Sequence, residues 1–320
     1  MNIQMKRIAA CAATAGALLS AVAGINTAAA DPLILTVTGT QTYLGPSTVV
    51  LDDAILVNQG TVNIADFGRI LFRSTSSLEN YNAFNISDSG VADFENGATA
   101  LNAGSYTQTS GTTSVTGGSV FTNHASFELS GGTFLVDTVS AFNGSSSVVI
   151  GGGSMVVDGM LIQTGVTLNG GSLGGAGTVI ANVVNNGGTV NPGVSVAGGY
   201  TQGAGGTIAI SIDALSTFDV FHINGAAVLD GTLDLTVDAG YLASAQIGDS
   251  FTIVDWSSVT GTFSTVNGLD LGNGKIFELD YGASGLTLTV AAVPVEVPEP
   301  GMIAILCVGI AGLAFMRRRI

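Results

Sequence analysis

Few residues in this chain are equipped for chemistry. Asp93 and Glu95 stand two apart in a run that reads as a strand, so both carboxylates face one side. Two carboxylates on one face are what glycoside hydrolysis needs, one as acid and the other as base or nucleophile. In an acidic protein the same spacing also describes two solvated acids on an open surface. Asp52 and Asp53 are adjacent, point to opposite faces of a strand and suit shared chemistry less. Arg69 and Arg73 share a face and are of the type that a polysaccharide lyase uses as base and substrate clamp. With Asp66 close by, a surface ion pair is the plainer expectation.

The histidines, His124 and His222, are the only two. A Ser-His-Asp site needs one of them beside a carboxylate and a nucleophile. Ser172 sits in a literal Gly-x-Ser-x-Gly, Gly170 to Gly174, but a nucleophile elbow needs a helix after it. Glycines and a strand follow instead. His222 alternates with Phe221 and Ile223 and is expected to face solvent. The two cysteines, Cys11 and Cys307, lie at the extreme ends of the chain, so no zinc site and no disulfide is legible between them. The glycines from Gly151 to Asp158 approach a calcium nonapeptide once and then fail. No phosphate loop and no dinucleotide fingerprint is present. The expectation is no metal, no cofactor and no catalytic residue.

The charge is lopsided. The chain carries a formal net charge of −15, and between Asp31 and Val297 only Arg69, Arg73 and Lys275 are basic. Such a surface repels nucleic acid and anionic polymers. It suits solubility outside the cell, and a role in binding divalent cations stays open.

The elements that must position these residues are strands. Short runs of alternating or β-branched residues recur, among them Val49 to Val57, Thr133 to Asp137, Val148 to Ile150, Met155 to Val157 and Gly206 to Asp213. With 46 Gly and 6 Pro among 320 residues and 46% hydrophobic residues, the chain is too apolar for a disordered linker. A Gly-Gly-Thr/Ser unit recurs at Gly117, Gly131, Gly152, Gly170, Gly187 and Gly205, at intervals of roughly 14 to 21 residues. Tyr-Thr-Gln appears at Tyr106 and again at Tyr200. Repeats of this length predict an all-β parallel β-helix, or solenoid, with glycines at coil corners. Asn169, Asn186 and Asn191 are placed to stack as a side-chain ladder. A β-sandwich array is the alternative.

Gly170 to Val179, with Val183 to Gly193 and Tyr200 to Thr207, resembles the passenger β-helix of bacterial autotransporters in style. No translocator barrel follows, so the resemblance implies passenger-like architecture without self-transport. After Tyr200 the strands lengthen, at Asp219 to Ile223, Gly231 to Asp238, Ser250 to Asp255, Lys275 to Tyr281 and Gly285 to Val293. Gly282 to Gly285 reads as a hairpin loop. This segment is expected to cap the solenoid.

Both ends read as targeting signals. Lys6 and Arg7, an apolar stretch to Ile25, and Ala28-Ala29-Ala30 make a secretory signal peptide with cleavage at Ala28 and Ala30. At the other end come Pro298-Glu299-Pro300, an uncharged run from Gly301 to Met316, and Arg317-Arg318-Arg319. As a helix that run spans about 24 Å, short of the roughly 30 Å hydrocarbon core but able to cross with snorkelling flanks. The arginines are a cytoplasmic stop. The order of parts resembles the PEP-CTERM sorting signal of Gram-negative bacteria. The resemblance implies recognition of Pro298, Glu299 and Pro300 by a membrane-embedded exosortase. An uncleaved anchor is the plainer alternative.

The organisation expected is therefore signal peptide 1–30, β-helix 31–199, C-terminal β cap 200–293, linker 294–300, transmembrane helix 301–316 and basic tail 317–320. The function expected is that of an exported, non-enzymatic surface or matrix protein. The sorting resemblance implies exopolysaccharide, biofilm or adhesion as its setting and an exosortase as a partner. A polysaccharide-acting enzyme and a cation-binding matrix protein are the alternatives.

Overall fold

The computed structural model describes residues 32–294, and nearly all of its regular structure is short β-strand. The strands run around a coil with three faces. The first coil is β1 (Leu33–Val37), β2 (Thr40–Tyr43) and β3 (Thr48–Asp52); the second is β4 (Ala54–Asn58), β5 (Thr61–Ile64) and β6 (Arg69–Arg73). β1 pairs in parallel with β4, β2 with β5 and β3 with β6. The pattern repeats, and the third face stacks eleven parallel strands from β3 to Thr265–Asn267. Met160–Leu168 and Thr178–Asn185 each run through the corner between the first two faces and join them into one sheet. This is the parallel β-solenoid expected from the repeats.

Alternation makes the strands. Along Thr61–Ile64, Ala83–Ile86 and Val120–Asn123, every second residue is buried. A strand turns successive side chains to opposite faces, so one set fills the coil and the other meets solvent. The glycine units do sit at corners. Those at Gly131, Gly152, Gly170, Gly187 and Gly205 all turn the chain from the second face to the third. The unit at Gly117 turns it from the third face to the first, which is why its spacing to the next is short. Gly132 shows the requirement. Its φ is 74°, and a Cβ there would lie 2.2 Å from the carbonyl oxygen of Gly111 in the preceding coil.

The core changes along the axis. In the early coils it is aromatic: Phe72 stacks on Phe94 at 4.7 Å, and Phe84, Tyr106 and Phe127 stack at 5.3 Å steps. From Val148 to Val196 it is built mainly of Val, Leu and Ile. Coil length changes with it. Asn58, Asn80, Asn102 and Asn123 stand 22, 22 and 21 residues apart, whereas Ser154 and Ser172 are 18 apart. A shorter coil encloses a narrower section, which aliphatic side chains fill and stacked rings would overfill.

Those four asparagines are the main ladder, and they are buried. Each Nδ2 donates to the next Oδ1, at 2.7, 2.7 and 2.8 Å. The ladder ends at Gly144, the register partner of Asn123. The expected ladder of Asn169 and Asn186 also exists, at 2.9 Å, but it is exposed. Asn191 is exposed too and stands beside Gly174 rather than in that pair.

Parallel pairing runs on past Tyr200, through Ala226–Leu229 and Ser258–Gly261 on the second face and Thr232–Val237 on the third. Coil and cap interleave there. The first face continues through Phe221–His222 into Ser250–Asp255, then into antiparallel Gly285–Ala292, Lys275–Tyr281 and Asp270–Gly272. The expected hairpin is present, with Tyr281 opposite Leu286 and Gly282 N–H donating to Gly285 C=O at 2.9 Å. One short helix, α1 (Ala239–Ser244), is capped by the Asp238 carboxylate.

Candidate functional site

The third face carries the most regular surface feature. The Gly-Gly corners between the second and third faces each deliver a hydroxyl residue to the first outward position of the next strand, and other strands of that face open the same way without a Gly-Gly pair. Thr112, Thr133, Ser154, Ser172, Thr189, Thr207, Thr232 and Thr265 are register partners in succession. At the strand spacing of a sheet this column is roughly 34 Å long. Thr112 to Thr232 are half-buried between their neighbours, and Ser172 Oγ donates to Ser154 Oγ at 3.1 Å. Ser172 thus belongs to the column, opens the strand Ser172–Gly174, and has no helix after it. Hydroxyls both donate and accept, so such a column can meet another hydroxyl-rich polymer repeat by repeat.

Towards the N-terminus the same face carries charge. Arg69 Nε meets Asp93 Oδ2 at 2.5 Å, and its other end reaches Glu95 at 3.9 Å; Arg73 meets Glu95 at 3.5 Å. Ser114 donates to the second oxygen of Asp93. The sequence therefore named the right four residues and the wrong partner. The arginines pair with Asp93 and Glu95 of the next coil, not with Asp66, which occupies a corner at φ 49°. Asp53 is likewise a corner residue, at φ 52°, rather than the back face of a strand. Asp93 is only 6% exposed with both oxygens engaged, so it is poorly placed to exchange protons with a substrate. Glu95 is the more open of the two, at 30% side-chain exposure.

The histidines do not meet each other. His222 faces solvent and its Nδ1 lies 2.6 Å from Asp255 Oδ2. His124 Nδ1 lies 2.8 Å from Ser145 Oγ. One therefore has a carboxylate and the other a hydroxyl. Among the described residues no group of three or more His, Cys, Asp or Glu could hold a metal ion.

The two Tyr-Thr-Gln motifs are internal braces. Tyr106 and Tyr200 are fully buried, and burial pushes both phenols up from their ordinary value. Tyr106 bonds Thr113, which donates to Gln108; Tyr200 donates directly to Gln202. Each Gln then closes a corner on the backbone, Gln108 on Thr133 and Gln202 on Thr232.

A pocket of about 450 Å³ opens between α1 and the end of Thr207–Ala214, lined in part by Asp213, Leu215, Tyr241 and Asp249. Its carboxylates are engaged. Asp249 accepts from the Tyr241 hydroxyl and the Gln246 N–H, and Asp213 accepts from Ser211.

The targeting residues lie outside the described residues: Ala28 and Ala30, Pro298, Glu299 and Pro300, the segment 301–316, and Arg317, Arg318 and Arg319. Among the described residues no helix is long and apolar enough to cross a membrane. No curated protein and no solved structure matches the chain. Residues 296–319 match the model of the PEP-CTERM protein-sorting motif, so the chain carries at its C-terminus the signal of an exported protein that an exosortase processes.

Proposed function

We propose that this is a non-enzymatic structural protein of the extracellular matrix or cell surface, whose third face lies along a neutral, hydroxyl-rich polysaccharide. The hydroxyl column carries the reading. Eight successive coils place Thr or Ser at one outward position, although the coils differ in length and in core. Packing alone does not ask for that, since outward positions tolerate most polar residues. The acidity of the chain disfavours anionic polymers and leaves neutral glycans as the matched class.

The test is co-sedimentation of the exported protein with the neutral polysaccharide fraction of its host. Thr133→Val, Thr189→Val and Thr207→Val together keep shape and branching but remove three hydroxyls. The combined variant should bind roughly tenfold or more weakly with an unchanged melting temperature. Equal binding by the variant sinks the reading.

The convergence of Arg69, Arg73, Asp93 and Glu95 supports a second reading, an enzyme that cleaves polysaccharide on the same face. It expects reducing ends or unsaturated sugar products, lost in Glu95→Gln. Absence of product from a panel of acidic and neutral glycans removes it.

A further inference from the structure

The N-terminal end of the solenoid differs from the coils behind it. Several core positions that are sealed in the second coil are open in the first, although Val37 and Leu51 stay buried. Leu35 is half-buried where its partner Leu56 is 3% exposed; Tyr43 is half-buried where Ile64 is fully covered; Val49 is half-buried where Ile70 is fully covered. The backbone is open as well. In a parallel ladder each residue turns both its N–H and its C=O to the same neighbour, and the next residue turns both away. Leu33 N–H bonds Asp53, and Val37 C=O accepts from Gln59, so Ile34 and Thr36 turn theirs outward from β1. Tyr43 C=O accepts from Ala65, which turns Thr40 and Thr42 outward from β2. Ser47 C=O accepts from Arg69, which does the same for Thr48 and Val50 of β3. Among the described residues β1, β2 and β3 pair only with β4, β5 and β6.

We infer that this end is an interface with a second copy of the chain, docked N-terminal end to N-terminal end. One reading of the sequence and two observations select that occupant. First, signal cleavage after Ala30, as read from the sequence, leaves only Asp31 and Pro32 ahead of β1, too little chain to cover three strand edges. Second, the edges match one another. A twofold axis through the middle of β1 sets β1 antiparallel to its own copy and β2 against the partner subunit's third strand, with lengths of five, four and five residues. Third, charge does not oppose the contact, since β1 and β2 carry none and β3 carries only Asp52. The opposite end is not an equal candidate. There the first face runs on into antiparallel strands, and only the second and third faces terminate, at Ser258–Gly261 and Thr265–Asn267. A twofold contact closes at two copies, so the product is a dimer and not a fibre.

Sedimentation equilibrium of the processed, exported protein, with its N-terminus read by intact mass, tests this. A dimer is expected. Thr36→Pro with Thr42→Pro removes two outward N–H groups without touching a ladder bond to β4 or β5. Thr36→Lys with Thr42→Lys keeps the N–H groups and places charge at the edge. Both variants should be monomeric, or weakened roughly tenfold or more, with the wild-type circular dichroism spectrum. A monomeric wild type overturns the inference, whether its leader is cut or retained; a retained leader then makes the chain's own N-terminus the occupant. Dimers that persist in the lysine variant place the contact elsewhere and overturn it as well.

Discussion

The amides of Asn58, Asn80, Asn102 and Asn123 are each 1% exposed or less, and each of the first three donates to the amide of the next coil. Asn80 and Asn102 use their second N–H on the carbonyls of Ser105 and Ser126. Asn102→Leu therefore strands a donor on Asn80, an acceptor on Asn123 and the Ser126 carbonyl. A loss of about 2–4 kcal/mol is expected from the urea midpoint, far above that of Asn186→Leu in the exposed pair. The ladder was hard to read in advance. Its members are separated by a whole coil and end strands, where Asn also reads as an ordinary turn residue. The buried phenols give a second expectation. Tyr106 and Tyr200 have folded values raised by burial, so their contribution is fully present below the ordinary phenol value near pH 10 and is lost as pH rises above it. Ultraviolet titration should show these two ionising only as the fold is lost.

A corner is the unit at the scale of elements. Gly144 has φ 148°, and a Cβ there would lie 1.8 Å from the Asn123 carbonyl oxygen; Gly39 has an ordinary φ and open space around it. Gly144→Ala should cost more than about 3 kcal/mol or prevent folding, while Gly39→Ala should shift the melting temperature little. Gly39 lies in a corner and Gly144 ends the strand that leads into one, so the contrast reads the close approach together with the positive φ. The glycine units announced the coil, because a corner constrains composition. Register was less legible. The strands before Met160 are four or five residues long, and up to Tyr200 the coil length drifts between 17 and 22 residues, so which Arg meets which Asp depends on the count in each corner. That is why Arg69 was expected beside Asp66 and is found on Asp93.

For the whole molecule, export and fold belong to separate parts of the chain. The sorting match covers residues 296–319, and the solenoid lies wholly before it. Glu299→Ala should therefore leave the fold untouched and change the product. In a host with an exosortase, the wild type is expected to lose its tail and leave the membrane, while the variant stays anchored at full mass. Equal mass and location for both would reduce the tail to a plain anchor. The solenoid and its tail were legible because each is a repeated or ordered pattern. The hydroxyl column was not, since it shows itself only when coils are stacked in register.

The drift in coil length has a mechanical consequence. Strands lie across the axis, each coil holds only its two neighbours, and the tail is fixed to one end. Tension applied between that end and the N-terminus reaches the coils one at a time and peels them from an edge. Each release pays out the contour of a single coil, about 75 Å for the aromatic coils of 21 or 22 residues and about 60 Å for the aliphatic coils of 17 or 18. Up to Tyr200 the solenoid would therefore yield in two step lengths, set in order along its axis by the width of its own core, with longer coils beyond.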